Sequence, residues 1–177
     1  MHMLDACVEK GLPLPAHVAS VMRSIGMAKV DAAKEYIEDV REPLVVFCTH
    51  MTVLQELRKQ FPSAMTITGD DSRDDKNAAV EAFQGGKCDL IFCNVKAGGV
   101  GITLHRAKHM LFVEQYWSPA IMDQAMARII RIGQKAKGVN ITSIIAVNTI
   151  DEVILDSLNY KRAFMKEVLD GQGTFTN

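Results

Sequence analysis

A glycine-rich turn after an apolar stretch is the first part of this chain whose residue types could do chemistry. Gly98, Gly99 and Gly101 place three glycines in four positions, a few residues beyond Cys93. Because glycine has no Cβ, backbone amides in such a turn stay accessible and can point at phosphate oxygens. A tight packing corner uses glycine in the same way, so the turn alone leaves both interpretations open.

The turn matches neither of two well-known phosphate-binding loops. The P-loop pattern G-x-x-x-x-G-K-[ST] occurs nowhere in the chain. The dinucleotide fingerprint needs a small third residue where this chain has Leu104. A dinucleotide oxidoreductase therefore fails as an interpretation.

A second group of polar side chains follows later in the chain. Gln124, Arg128 and Arg131 are spaced i, i+4 and i+7, so they share one face of a helix predicted to run from Pro119 to about residue 132. Two arginines at this spacing suit bidentate contacts with phosphate oxygens, although a solvated polar face has the same pattern. The other faces carry residues that we expect to be buried, Ile129, Ile130 and Ile132.

The elements that must position these residues alternate between strand and helix. Apolar runs predict strands at 44–48, 64–68, 89–93, 110–113 and 139–147. Helical periodicity predicts helices at 52–60, capped by Thr49 or Thr52, and at 73–84, 119–132 and 150–169. This alternation predicts an α/β fold with a mostly parallel sheet flanked by helices.

Three segments of unequal size are expected along the chain. Residues 1–40 form a helical lead-in, in which Gly26 is expected to break or bend the helix. Residues 41–170 form the α/β domain, and residues 171–177 form a loose tail.

Composition and charge limit the class of protein. The 177 residues are 48% hydrophobic and 23% charged with a net charge of -1, which indicates a globular protein rather than a disordered or fibrous one. No apolar run is long enough for a membrane helix, and the first residues do not resemble a secretory signal. The four cysteines form no C-x-x-C pair, so no metal site is predicted, and the buried setting of Cys48 and Cys93 suggests a reducing, intracellular compartment.

The small net charge hides a basic middle segment. Residues 94–137 carry seven Lys or Arg against two Asp or Glu, a net of +5, between flanks that are both acidic. Such a segment can face a nucleotide or a nucleic-acid backbone, but a solvated surface with counter-charges nearby fits equally well.

Six segments, taken in order, resemble a known family. They are Val-Val-Phe-Cys-Thr-His at 45–50, Gly-Asp-Asp-Ser at 69–72, Lys-Ala-Gly-Gly-Val-Gly at 96–101, Tyr-Trp-Ser-Pro at 116–119, the Gln-to-Gln stretch at 124–134 and Asn-Thr-Ile-Asp-Glu at 148–152. They are similar to motif IV and the block after it, motif V, the Trp-Asn-Pro signature, motif VI and the closing segment of SWI/SNF-type superfamily 2 helicases. The resemblance covers about residues 28–170, which correspond to the carboxyl-terminal RecA-like lobe. The chain departs from the family pattern at Val95, Thr103, Ser118 and Ile130.

The resemblance implies half of an ATP-driven motor. The missing half is an amino-terminal RecA-like lobe of the same parent protein, which holds ATP and Mg²⁺ through a P-loop and an acidic pair. Arg131 is then the arginine finger, Arg128 positions the phosphate or holds Arg131, and Gln124 orients the attacking water or bridges to the first lobe. An ion pair of Arg131 with Glu114 or Asp123 within this lobe is the structural alternative.

The resemblance also implies contacts with DNA, most often duplex, through its phosphates. The glycines of the turn would couple the ATP site to DNA, and the phosphate-contacting side chains would be His50, Thr52, Ser72 and Thr103. For the first three of these, a plain capping or surface role fits the sequence as well. This chain alone is expected to be inactive as an ATPase. The alternative function is a non-catalytic RecA-like module that binds nucleic acid or protein.

Overall fold

The computed structural model describes residues 16–97, 102–130 and 138–169, with side chains as far as residue 163. The helices in these ranges are α1 (Ala16–Ala28), α2 (Val30–Asp39), α3 (Met51–Gln60), α4 (Arg73–Gln84), α5 (Pro119–Met126) and α6 (Ile150–Leu169). The strands are β1 (Leu44–Cys48), β2 (Met65–Ile67), β3 (Leu90–Asn94), β4 (His109–Phe112) and β5 (Asn140–Ser143). The predicted tail at 171–177 lies outside the described residues.

The five strands form one parallel sheet in the order β2–β3–β1–β4–β5. The central strand β1 pairs with β3 on one side and with β4 on the other, so that Phe47 lies opposite both Cys93 and Phe112. Because all strands run in the same direction, their carboxyl ends meet at one edge of the sheet. The predicted α/β fold with a parallel sheet is confirmed.

Helices cover both faces of the sheet, because alternate residues of each strand point to opposite sides. On one face Phe47 stacks on Phe112 with ring centroids 5.0 Å apart, and α4, α5 and α6 contribute Phe83, Met122 and Ile154 to the same core. On the other face the strand residues pack against α2 and α3, which contribute Ile37, Val53, Leu54 and Leu57. The amino-terminal segment is therefore part of a shared core.

Two polar contacts join the segment of α1 and α2 to β5 and α6, near the carboxyl end of the chain. Lys29, between α1 and α2, places its Nζ 2.6 Å from Oδ2 of Asp151 at the start of α6, and both side chains are buried. The hydroxyl of Tyr36 lies 2.9 Å from Oγ1 of Thr142 on β5. These contacts join residues that are more than a hundred positions apart.

Of the break or bend predicted at Gly26, the break is wrong, because α1 continues through this residue. The helical path is interrupted at Lys29, and Gly26 lies buried inside α1. A Cβ at this position would come within 2.8 Å of Cδ of Glu114 and 2.9 Å of Cγ2 of Val53. The glycine thus allows a close approach between α1 and the sheet edge, which the sequence pattern alone did not reveal.

The helix that begins at Pro119 is shorter than predicted. It ends at Met126, and residues 127–129 form a turn in which the N–H of Arg128 donates to the carbonyl of Ala125 at 3.2 Å. Ile129 is buried as expected, but Ile130 is 47% exposed, contrary to the prediction. Ile132 lies outside the described residues. Gln124 and Arg128 therefore do not share the face of one continuous helix.

Strand β5 is also shorter than predicted, since it covers Asn140–Ser143 rather than 139–147. By contrast, the predicted burial of Cys48 and Cys93 is confirmed, because both thiols are free and fully enclosed. Burial raises the pKa of each thiol above the ordinary value of 9.0, and the nearby Glu114 carboxylate adds to the effect at Cys48.

Candidate functional site

Polar residues gather where the three central strands end. Thr49 and His50 follow β1, Asn94 is the last residue of β3, and Glu114 lies two residues beyond β4. Backbone bonds continue the sheet into these loops, with Val95 N–H donating to the carbonyl of Cys48 at 3.0 Å. Ligands of open parallel sheets bind at this edge, so these loops form the candidate site.

Glu114 lies at the centre of the group. Its Oε2 accepts hydrogen bonds from the backbone N–H groups of Thr49 at 3.0 Å and His50 at 2.9 Å, and its Oε1 lies 2.5 Å from Nδ1 of the His50 ring. The residue is only 5% exposed. The predicted cap of α3 at Thr49 or Thr52 is wrong, because the N-cap residue is His50 and its side chain makes no capping bond. Instead, Glu114 satisfies amides at the start of α3 from across the sheet.

Asn94 joins the loops after β1 and β3. Its Nδ2 donates to the carbonyl of Thr49 at 3.0 Å, and its Oδ1 accepts from the backbone N–H of Lys96 at 3.0 Å. The exposed Lys96 places its Nζ 5.2 Å from the ring centre of Tyr116, which follows β4. The buried amide and the cation–π contact thus hold the start of the glycine-rich turn against both neighbouring loops.

The predicted glycines Gly98, Gly99 and Gly101 lie outside the described residues, and so does Arg131. The structure describes the chain again from Ile102, and Thr103 is half-buried. At the next residue, the backbone N–H of Leu104 donates to the carbonyl of Arg128 at 2.8 Å. That bond brings the segment after the glycine-rich turn next to the turn that carries Arg128.

Gln124 and Arg128 differ in their surroundings. Gln124 is exposed on α5, whereas Arg128 is half-buried in the turn after it. Nε of Arg128 is enclosed, and it has no hydrogen-bond partner among the residues that the structure describes. The outer nitrogens of the guanidinium carry four further N–H donors, and these are the ones that bidentate phosphate contacts use. Glu114 and Asp123, the alternative ion-pair partners predicted for Arg131, both contact other side chains. Glu114 contacts the His50 ring, and Asp123 pairs with Arg162 at 2.9 Å.

Three of the predicted DNA-contacting residues, His50, Thr52 and Ser72, follow strands at the carboxyl edge of the sheet, but in different settings. Thr52 is exposed in the first turn of α3, next to the partly exposed His50. Ser72 follows the outer strand β2 and is the cap of α4, since its Oγ accepts from Asp75 N–H at 3.1 Å and donates to Asp75 Oδ2 at 2.6 Å. His50 and Thr52 are therefore together, whereas Ser72 is held by a local capping interaction.

A basic cluster before β4 lies at the opposite, amino-terminal edge. Lys108 Nζ lies 2.6 Å from Oε1 of Glu42, and His109 Nε2 lies 3.1 Å from Oε2 of the same carboxylate. Arg106 pairs with Asp89. These bases have acidic partners in the folded chain, so the positive middle segment is not one continuous surface.

Sequence reasoning missed Glu114 and Asn94 as members of the site. Each is a polar residue that ends or closely follows a buried strand, which is the position from which polar groups reach the carboxyl edge. That signal was present in the sequence, but the Glu114 carboxylate was considered only as an ion-pair partner of Arg131.

The described residues contain neither a metal-binding cluster nor a membrane-spanning helix. No group of three or more His, Cys, Asp or Glu side chains within residues 16–97, 102–130 and 138–163 is arranged to hold a metal ion. In the same part of the chain, no helix combines the length and the apolar character that crossing a membrane requires.

Comparison with known proteins identifies the family. Residues 28–133 match the model of the helicase conserved C-terminal domain. This chain belongs to that family. The match includes the strands and loops that form the sheet-edge site and the turn that carries Arg128.

The relatives of this helicase C-terminal domain are SWI/SNF-related helicases. A SWI/SNF-related matrix-associated actin-dependent regulator of chromatin subfamily A-like protein 1 from Xenopus tropicalis is 32% identical over 76% of the chain. The DNA annealing helicase and endonuclease ZRANB3 from Homo sapiens is 29% identical over 88% of it, and the putative ATP-dependent helicase/translocase YwqA from Bacillus subtilis is 26% identical over 87%. The chain spans 15–17% of the length of these relatives.

A solved structure has the same fold. The crystal structure of the C-terminal part of the Fun30 ATPase domain superimposes with a TM-score of 0.66 at 27% sequence identity, over 73% of this chain and 44% of that one. The RecA-like architecture predicted from the motifs is thereby confirmed.

Proposed function

We propose that this helicase C-terminal domain is the second motor lobe of an ATP-dependent, SWI/SNF-type DNA translocase, and that it hydrolyses ATP only together with a P-loop lobe. The observation that carries the proposal is the joining of three loops at one sheet edge. The segment that resembles motif IV ends in the loop after β1, and the segments that resemble motif V and the Trp-Asn-Pro signature follow β3 and β4. Asn94 and Glu114 connect these three loops. A single rigid edge suits a lobe that must move as a unit between ATP and DNA.

On the ATP side, Arg131 is proposed as the arginine finger that stabilises charge on the transferring phosphoryl group. Arg128 would position that phosphate through the outer nitrogens of its guanidinium, and its half-buried place in the turn after α5 supports this role. Gln124, exposed on α5, would orient the attacking water or bridge to the first lobe. The P-loop lobe would hold ATP and Mg²⁺, because this sequence contains no P-loop pattern.

On the DNA side, His50, Thr52 and Thr103 would donate to phosphates of duplex DNA, and Gly98, Gly99 and Gly101 would couple the two sides. The adjacency of His50 and Thr52 at the start of α3 supports a shared phosphate contact. Ser72 could join them only by giving up a hydrogen bond to Asp75, beside the acidic residues Asp70, Asp71 and Asp74.

An ATPase assay tests the proposal. The 177-residue chain and a parent protein that carries both lobes are compared, each with and without duplex DNA. We expect turnover only from the parent, with stimulation by DNA. Hydrolysis by the chain alone, free of contaminants, would overturn the half-motor assignment. DNA binding by a parent that hydrolyses no ATP would instead favour the non-catalytic binding module.

A further inference from the structure

Lys96 is an exposed cation at the carboxyl edge of the sheet, and its partner is an aromatic ring rather than a carboxylate. Its Nζ lies 5.2 Å from the ring centre of Tyr116, within the roughly 6 Å over which a ring face attracts a cation. Among the residues that the structure describes, no carboxylate lies within ion-pair distance of this ammonium. Lys108, by contrast, pairs with Glu42 at 2.6 Å. A carboxylate would cancel the charge of Lys96, whereas a ring orients the ammonium and leaves its charge for an anion.

Both ends of this contact are anchored in the folded chain. The half-buried ring of Tyr116 packs against the core on the face that α4, α5 and α6 cover, and the Tyr116 N–H donates to Sδ of Met122 at 3.3 Å. The next residue, Trp117, is 3% exposed. On the other side, Oδ1 of Asn94 accepts from the backbone N–H of Lys96 at 3.0 Å. The ring is therefore a fixed platform, and the Lys96 stem is the flexible part of the pair.

The contact crosses the end of the central strand. Lys96 follows β3 and Tyr116 follows β4, and β1 lies between these two strands. The loop after β1 carries His50, and the first turn of α3 beyond it carries Thr52. The Lys96 ammonium is thus held beside the loop that leads to two of the proposed phosphate contacts.

A lysine that is already ordered binds an anion more tightly than one that moves freely. Fixing a long, flexible stem costs conformational entropy, and the attraction of the Tyr116 ring offsets part of that cost before DNA arrives. The ammonium of a lysine has three N–H donors. The ring covers one side of the ammonium, so donors on the other side remain for a phosphate oxygen.

We propose that Lys96 contacts a DNA phosphate and that Tyr116 is its positioning residue, whose ring holds the ammonium beside the loop after β1. This inference rests on the proposed function and adds to it, because neither residue is among the DNA contacts that the family resemblance implies. Tyr116 acts through Lys96 and does not itself touch DNA.

A double-mutant cycle on DNA affinity tests the proposal with the 177-residue chain and a labelled duplex of mixed sequence. The variants are Lys96→Met, which removes the charge and keeps an unbranched stem, Tyr116→Leu, which removes the ring, and the two combined. Lys96→Met is expected to reduce the slope of log affinity against log salt by about one. Tyr116→Leu is expected to weaken binding about two- to fivefold, the scale of an exposed cation–π contact, and to leave the slope unchanged. In the Lys96→Met background, Tyr116→Leu should weaken binding no further.

The cycle separates a positioning residue from a direct contact. An equal loss from Tyr116→Leu with and without the Lys96 charge would show that the ring contacts DNA or supports the fold, which overturns the inference alone. An unchanged slope in Lys96→Met would overturn it as well. Absence of any DNA binding by the wild-type chain would overturn the DNA contact in the proposed function together with this inference, so the two failures are distinguishable.

Two matched controls accompany the cycle, and melting temperatures are measured so that affinities are compared among folded proteins. Tyr116→Phe keeps the ring face and should bind DNA within about twofold of the wild type. A loss as large as that of Tyr116→Leu would contradict the role of the ring. Lys59→Met removes another exposed lysine, which pairs with Glu56 at 2.7 Å, and should keep the salt slope. An equal reduction of the slope in this control would contradict a specific contact at Lys96.

Proton NMR of the Lys96 side chain supplies a readout that is independent of affinity. Methylene protons that lie over an aromatic face are shifted upfield, and the Lys96 signals are identified by their absence from Lys96→Met. The upfield shift is expected in the wild type and in Tyr116→Phe, but not in Tyr116→Leu, and it should persist in the DNA complex. Loss of the shift when DNA binds would show that the ammonium leaves the ring to reach the phosphate, which overturns the positioning role of Tyr116.

Discussion

The backbone N–H of Leu104 donates to the carbonyl oxygen of Arg128 across 2.8 Å. This bond joins the segment after the glycine-rich turn to the turn that follows α5, although the two are separated by an entire strand and helix. A shift of the Arg128 backbone must therefore move Thr103 or break the bond. Under the proposed function, this is a direct mechanical connection between a phosphate-sensing arginine and the DNA side of the lobe.

Replacing Gly26 with alanine should destabilise the chain by about 1–3 kcal/mol. The new Cβ would lie 2.8 Å from Cδ of Glu114 and 2.9 Å from Cγ2 of Val53, and this overlap outweighs the better helix propensity of alanine. Urea unfolding of both proteins measures the difference. Gly69→Ala is the control, because a Cβ there would meet no atom within 4 Å. Equal stability of Gly26→Ala and the wild type would contradict the close approach of α1.

Replacing Asp151 with asparagine should cost about 3–5 kcal/mol, because the buried Lys29 ammonium is left without its counter-ion. The substitution keeps an oxygen that can accept from Ala146 N–H, so the loss of charge is tested rather than the loss of that hydrogen bond. Thermal unfolding provides the measurement. Glu38→Gln serves as the comparison, since its pair with Lys34 is exposed at 4.0 Å and should contribute less than about 0.5 kcal/mol. Similar effects of the two substitutions would argue against a special role of the buried pair.

Raised thiol pKa values predict a loss of stability at alkaline pH. The folded-state pKa of Cys48 and of Cys93 lies above the ordinary value, mainly because of burial. A group with a raised folded pKa stabilises the fold fully below its unfolded pKa, and the contribution is lost as the pH rises through the folded value. Stability should therefore fall above about pH 8.5, by up to about 1.4 kcal/mol per pH unit for each thiol.

The variant Cys93→Ala isolates this contribution from that of other groups that titrate at high pH. Its stability should be lower at neutral pH because a small cavity forms, but its decline between about pH 8.5 and pH 10 should be shallower than that of the wild type. Denaturant unfolding at a series of pH values gives both curves. If the two plots of stability against pH are parallel above pH 8.5, the Cys93 thiol does not cause the loss of stability at alkaline pH.

The sheet and its helices were predictable because their signals are local. The apolar run Leu44–Cys48 and the stretch Arg73–Gln84 each carry their own period and end signals, and the structure has both with those bounds. The predictions fail where contacts between residues far apart in sequence determine the local structure. Gly26 looked like a helix break because its packing partner Glu114 is far away in sequence. The α5 helix looked longer because the bond from Leu104 to Arg128 cannot be read from periodicity.

The candidate site was predictable in its motifs but not in its connections. Arg128 and the turn after β3 could be selected from residue types and spacing, since phosphate chemistry favours arginine and exposed amide donors, whereas Thr52 was selected only through the family resemblance. The carboxylate of Glu114 and the amide of Asn94 bind neighbouring loops rather than any expected ligand. Such roles depend on which strands are adjacent, and the strand order follows from tertiary packing.

DNA binding by this chain should be weak, insensitive to sequence and strongly dependent on salt, because it would depend on phosphate contacts. Lys96 is exposed at the carboxyl edge, so Lys96→Ala should reduce the slope of log affinity against log salt by about one. Lys59 is the control, because it lies near the end of α3, toward the opposite edge, and pairs with Glu56. Fluorescence anisotropy titrations at several salt concentrations give the slopes. A strong preference for one sequence with little salt dependence would contradict a phosphate-based contact.

Replacing Arg131 with alanine in the two-lobe parent should reduce ATP turnover by about 10³-fold, which is the scale of losing an arginine finger. DNA binding should change little, because the residue is assigned to the nucleotide. Arg131→Lys should restore little activity, since an ammonium cannot reproduce the planar two-donor fork. Turnover and melting temperature are measured on the same samples. A purely structural arginine would lower the melting temperature, and activity would then fall only as the protein unfolds.

The matched comparison for this prediction is Arg128→Ala, which removes the nearby arginine three positions earlier. Arg128 has an enclosed Nε, so its loss should reduce turnover through poorer placement of the phosphate and should also affect the local packing. Both variants should therefore reduce ATP turnover, but Arg128→Ala should lower the melting temperature more than Arg131→Ala does. A well-folded Arg131→Ala parent with near-normal turnover would end the finger assignment and transfer it to Arg128, whose alanine variant would then carry the full kinetic loss.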